Sequence, residues 1–219
     1  MTVRAVLLDL GGVFVDSPLE AIAVYELDNR IPAGAVNRLA QSAGNGGAWA
    51  RHERGEIDFA TFCDRFEAEA AVAGLVIDAA EIMARIATSV RVRPVMAAAV
   101  AVLREHGIKV AAVTNNWESL RNADLAHHFD AMVESCREGV RKPDPEIYRR
   151  ALTRVDVTPE QAAAIDDLGP NLKTAREMGM TTHKYRNHSE AMAFLSQVTG
   201  IDLSAQDAPA RPPPQEKSG

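Results

Sequence analysis

Aromatic residues make up only 5% of the 219 residues, and there are two cysteines, Cys63 and Cys136, far apart and outside any CxxC spacing. That scarcity excludes a disulfide framework or a cysteine-built zinc site as the basis of the fold, and two reduced thiols in a cytoplasmic protein are expected. Basic runs are missing as well, and the net charge is −6. Nucleic acid and anionic membrane are therefore poor partners. No apolar stretch reaches the roughly 18 residues a bilayer span requires. The apolar opening is too short for a secretory signal and runs into an acid, Asp9. Without such a signal the triplet Asn187-His188-Ser189 is a chance match to a glycosylation site. Residues 204–219 have almost no apolar bulk among their prolines and are expected to form a disordered tail, with a proline-motif ligand as the lesser reading.

What remains is enough for a core: 47% of the residues are hydrophobic against 25% charged. Compact apolar runs at residues 3–10, 108–113, 131–133 and 162–165, with a weaker one at 181–185, predict buried strands. Helical patterns lie between them. Residues 94–105 place Val95, Met96, Ala99, Val102 and Leu103 on one face. Asp144-Pro145 is a cap followed by proline at the first helical position. Thr158-Pro159-Glu160-Gln161 adds a capping-box pattern, and Gly179 stops the helix over 172–178. Alternating strands and helices imply an α/β fold with a doubly wound, mostly parallel, Rossmann-like sheet. Residues 17–91 are alanine-rich, helical in texture and far longer than an ordinary connection. They are expected to form an inserted helical cap, leaving residues 1–16 and 92–203 as the core.

The polar residues fall in a pattern. Asp9, Thr114-Asn115 and Asp166-Asp167 each close an apolar strand at its C-terminal end, and Lys142 lies in the loop after the third. One polar residue ending a strand is ordinarily a turn residue. Several delivered to one edge of a parallel sheet, where ligands bind, point to chemistry. Carboxylates packed closely repel one another unless a cation sits among them, and hard oxygen ligands with room for water and phosphate suit Mg²⁺. No Cys or His nucleophile dyad is evident, so the available nucleophile is a carboxylate.

Four ordered segments carry a resemblance: Asp9-Leu10-Gly11-Gly12-Val13, Thr114-Asn115-Asn116, Lys142-Pro143-Asp144-Pro145, and Asp166-Asp167-Leu168-Gly169-Pro170-Asn171-Leu172. Together they resemble the haloacid dehalogenase-like (HAD) superfamily, closest to the branch with the N-terminal phosphatase domain of soluble epoxide hydrolase and the HAD-like domain of a large acyl-CoA dehydrogenase. The resemblance implies a Mg²⁺-dependent phosphatase acting on a small phosphorylated substrate. Asp9 would be the nucleophile and a metal ligand, and the Gly11 carbonyl a second ligand. Thr114 and the Asn115 backbone or amide would hold phosphate oxygens. Lys142 would neutralise the phosphoryl group and Asp9, and Asp167 would bind the metal with Asp166 in support. The expected assembly is a monomer or homodimer.

Position 11 departs from the pattern, because most phosphatases of this superfamily carry an Asp there as general acid and base. Losing such a group costs roughly a hundred- to ten-thousand-fold. Three readings stay open. The leaving group needs little protonation; a residue of the cap, from Asp16, His52 and Glu53, supplies the proton; or hydrolysis has decayed to phosphate or partner binding. Asp166-Asp167 argues against carbon–halogen displacement, which needs no Mg²⁺. A phosphonate-cleaving site would need a Schiff-base lysine in the cap, and no Lys occurs between Thr2 and Ile108. Trp49, Arg51 and His52 are candidates for substrate selection or for plain packing of the cap, and Trp117 for a pocket wall or the start of a helix. His127-His128 reads as a helix end, Cys136 as an inert thiol, and Arg137, Glu138 and Arg141 as solvated loop charges.

Overall fold

Alternation of side chains across a strand decides this architecture. The structure, a computed structural model, describes residues 3–120 and 125–207. Strands β1 (Ala5–Leu8), β2 (Lys109–Thr114), β3 (Ala131–Glu134), β4 (Ala162–Asp166) and β5 (Thr181–Lys184) form one sheet in the order β3-β2-β1-β4-β5. Every pairing is parallel, with Leu8 opposite Ala112 on one side and Ile165 on the other. Val6, Leu8, Val110, Ala112, Ala163 and Ile165 point into one apolar cluster. Their neighbours Ala5, Leu7, Ala111, Val113, Ala162 and Ala164 point into a second. A period of two with both faces apolar is what a sheet covered on both sides requires.

Ten α-helices lie among the described residues. Five precede the second strand's own helix: α1 (Pro18–Asp28), α2 (Ala35–Ser42), α3 (Ala48–Glu53), α4 (Phe59–Val72) and α5 (Ala79–Ser89). The rest are α6 (Pro94–Glu105), α7 (Ser135–Glu138), α8 (Pro145–Val155), α9 (Gly169–Glu177) and α10 (His188–Thr199). Residues of α6 and α10 fill the first cluster, and residues of α8 and α9 the second. Asp144 caps α8 by accepting from the Glu146 N–H, with Pro145 at the first position.

Helices α1–α5 have a core of their own, from Ile22 and Tyr25 through Phe62 and Phe66 to Ile86. The two ends of this helical segment are pinned together. Val15 bridges Val92, the Asp16 N–H donates to the Arg91 carbonyl (3.0 Å), and the Arg93 N–H donates to that of Phe14 (2.9 Å).

Two local expectations change. Thr158 and Gln161 do form the capping box, but the turn is a short 3₁₀ segment, Pro159–Gln161, that runs straight into β4. Ser204–Asp207 is a 3₁₀ turn rather than disordered. The preceding Leu203 is fully buried and its N–H donates to Ser196 Oγ (3.1 Å), so the chain is tied down up to that turn. The remainder of the expected tail, residues 208–219, lies outside the described residues.

Candidate active site

Three carboxylates meet where the middle strands end. Asp9 follows β1, Asp166 closes β4 and Asp167 comes next, and one oxygen from each lies within 4.8 Å of the others. Because β1 and β4 are neighbours in register, two adjacent strands place these groups side by side. Lys142, almost wholly buried, puts its ammonium 2.8 Å from Asp9 Oδ1 and 2.8 Å from Asp166 Oδ2.

The electrostatics follow from burial. Burial pushes the Asp9 carboxyl up to about 8; the Lys142 charge pulls it down, and Asp166 pushes it up again. Asp167 is raised by burial and by Asp166, against Lys142. Burial alone would discharge Lys142, but Asp166 and Asp9 hold it well above the ordinary lysine range. One ammonium against three crowded carboxylates leaves a surplus of negative charge and hard oxygen donors. That donor set fits Mg²⁺.

Each side chain is held by others. Asp166 accepts from Asn171 Nδ2 at both oxygens (3.0 Å each) and from the Leu168 N–H (2.8 Å). With Lys142 as well, its oxygens are engaged on all sides, which suits a supporting part better than direct ligation. Asn171 belongs to the fourth segment, and its place on the first turn of α9, five residues after Asp166, is the sequence signal for this supporting contact. Tyr148 on α8 donates to the Asn171 carbonyl (3.0 Å) and steadies it.

Thr114 ends β2, the strand that pairs with β1 on the side away from β4, and is buried. The Asn115 amide is committed elsewhere than expected. Its Oδ1 accepts the Lys142 N–H (2.8 Å) and its Nδ2 donates to the Lys142 carbonyl (3.1 Å). The side chain clamps the lysine loop.

The position-11 question also acquires geometry. A Cβ built on Gly11 would sit 3.1 Å from Pro18 Cδ, so the proline that opens α1 partly fills the space an aspartate would need. Of the three candidate proton donors, Asp16 pairs with Arg93 Nε (3.5 Å), which also donates from Nη1 to the Gly12 carbonyl (3.1 Å). His52 Nδ1 lies 3.2 Å from the Ile57 carbonyl. A carbonyl only accepts, so Nδ1 carries the hydrogen and Nε2 is a bare acceptor, buried without a partner. Burial holds this imidazole below its ordinary value, and the hydrogen on Nδ1 is committed to the Ile57 carbonyl. Glu53 is buried, and its carboxyl is raised by burial against Arg141, Trp49 and Lys142.

Trp49 and Trp117 meet edge to face with centroids 6.3 Å apart, and Trp117 packs on the core of the helical segment. Trp117 therefore closes the seam between that segment and the sheet and begins no helix. Arg141 and Glu138 prove structural rather than merely solvated: Arg141 lies 2.8 Å from Glu53, and Glu138 pairs with Arg150 and Arg154. His127-His128 closes a 3₁₀ turn before Phe129. Among the described residues no helix is long and apolar enough to cross a membrane.

Residues 3–179 match the haloacid dehalogenase-like hydrolase family. Acyl-CoA dehydrogenase family member 10 of Mus musculus is 34% identical over 208 residues, covering 91% of this chain and 19% of that protein. Bifunctional epoxide hydrolase 2 of Sus scrofa is 31% identical over 231 residues, covering 97% of this chain and 41% of that protein. The chain thus spans less than half the length of either relative. A HAD family enzyme from Bacteroides thetaiotaomicron, solved in complex with magnesium and inorganic phosphate, superposes with a TM-score of 0.60 at 22% identity over 84% of this chain and 94% of its own.

Proposed function

We propose that this chain, which belongs to the haloacid dehalogenase-like hydrolase family, is a phosphatase for a small phosphorylated metabolite that works through an aspartyl-phosphate. The observation that carries the reading is the Asp9–Asp166–Asp167 group with Lys142 bridging two of its members at 2.8 Å. Asp9 attacks phosphorus as the bond to the leaving oxygen breaks, and the leaving oxygen takes its proton from outside position 11. Water then displaces the Asp9 carboxylate and releases inorganic phosphate. Lys142 neutralises Asp9 and the phosphoryl oxygens throughout, while Asn115 and Asp166 fix where its ammonium sits. Mg²⁺, with Asp9, the Gly11 carbonyl and Asp167 as its ligands and Asp166 in support, would supply charge neutralisation at the phosphoryl group. The helical segment over residues 18–89 would be the cap that chooses the substrate, and Thr114 with the backbone beyond it would hold phosphate oxygens.

Turnover of a phosphometabolite panel with Mg²⁺ by the wild type and by Asp9→Asn tests this. Loss in the variant of about 10³-fold or more is expected for removal of a nucleophile; equal rates end the reading. Gly11, with Pro18 filling the space beside it, favours a second reading, a module that binds phosphate and Mg²⁺ without turnover. Calorimetric binding of both, with no hydrolysis across the panel, would select it.

A further inference from the structure

Glu53, the last residue of α3, is the point where the helical segment grips the catalytic edge of the sheet. Its side chain is 9% exposed, and Oε2 lies 2.8 Å from Arg141 Nε, in the residue next to Lys142. Its other oxygen accepts from Trp49 Nε1 (2.9 Å), which fixes the carboxylate within its own segment. The backbone is tied too: Ser135 Oγ donates to the Glu53 carbonyl (2.6 Å) and accepts from the Asn116 N–H (2.9 Å). Two residues on, Gly55 lies so close to the Cys136 carbonyl that a Cβ there would stand 2.5 Å from its oxygen. Two routes, one through a charge contact and one through hydrogen bonds, therefore join Glu53 to Lys142. One passes through Arg141; the other passes through Ser135 and Asn116 to Asn115, whose amide clamps the Lys142 backbone.

We infer that the Glu53–Arg141 pair is the latch that registers the helical segment on the edge holding Lys142, so that Glu53 is a positioning residue for the proposed phosphatase. The catalytic consequence rests on that reading; the latch itself does not. The contact is close, yet neither Arg141 Nε nor Glu53 Oε2 makes an aligned hydrogen bond. It is thus held by charge in a buried seam, where removing one partner strands the other. A charge contact without directional bonding can part as a unit, whereas the Ser135 bonds set where it closes again.

The test combines amide hydrogen exchange with kinetics on Glu53→Gln, Arg141→Gln, their double variant and the milder Glu53→Asp. Each single Gln variant should raise exchange about tenfold or more in residues 48–55 and 135–139 while β1 and β4 change by less than about twofold. The double variant should add little, because either change already opens the pair. With the phosphatase active, kcat/KM for an ester should fall about tenfold while the inhibition constant of inorganic phosphate moves by less than about twofold; Glu53→Asp should restore part of the loss. A purely packing role predicts phosphate and ester binding lost in parallel. That result, or exchange that is unchanged or raised evenly across the sheet, or additive singles, overturns the latch. If the wild type turns over no ester at all, the phosphatase reading falls and the exchange measurements alone still decide the latch.

Discussion

Two glycines in the turn after Asp9 have opposite prospects. At Gly12, φ is +79° and a Cβ would stand 2.5 Å from Asp167 Oδ2. Gly12→Ala therefore meets both backbone strain and displacement of a carboxylate. It should destabilise the protein by about 1–3 kcal/mol in urea unfolding and abolish Mg²⁺-dependent turnover. Gly11 has an ordinary φ, and its obstacle is the ring of Pro18, 3.1 Å from the added Cβ. Gly11→Asp alone should gain less than about tenfold on a generic aryl phosphate, and Gly11→Asp with Pro18→Ala should gain a further tenfold or more, of the order a general acid supplies. If the single variant already gains about a thousandfold, Pro18 is no obstacle.

Among the elements, α7 and α8 are joined by charge. Glu138 on α7 holds Arg154 Nη2 (2.6 Å) and Arg150 Nη1 (3.0 Å) on α8. Burial alone would raise this carboxyl, but the hydrogen bonds and charges of Arg154 and Arg150 carry it net below its ordinary value. A depressed folded-state value means the pair's contribution is fully present above the unfolded value near 4.5 and fades as pH falls through the lower folded one. The stability gap between wild type and Glu138→Gln should therefore be widest near neutral pH and close below pH ~4. A gap that widens on acidification would reverse the assignment. At the start of α8, Asp144→Ala removes the side chain that accepts from the Glu146 N–H and should cost about 1 kcal/mol.

At the scale of the molecule, two bodies share one chain: a sheet packed on both faces, and a helical segment with its own core. Phe66 is fully buried in the latter, so Phe66→Ala should cost about 3–5 kcal/mol. The loss should appear as rapid exchange confined to residues 18–89, with the sheet still protected; simultaneous loss everywhere would make the two bodies one cooperative unit. Strands β1 to β4 were legible as apolar runs, whereas β5, Thr-Thr-His-Lys at the sheet's edge, left only a weak signal. Asp9, Asp166 and Asp167 were legible as polar residues at the ends of such runs, and Lys142 as a loop residue after the third. The sequence alone determined this much because strand periodicity and strand-end position are local properties of the chain. It also left position 11 visibly without a side chain. Only the tertiary structure decided that Pro18 occupies the neighbouring space, that the Asn115 amide serves Lys142, that Asn171 steadies Asp166, and that Glu53 reaches Arg141. Those contacts join residues up to 88 positions apart (Arg141 and Glu53). No spacing rule links such residues, and only the packing of one body on the other brings them within reach.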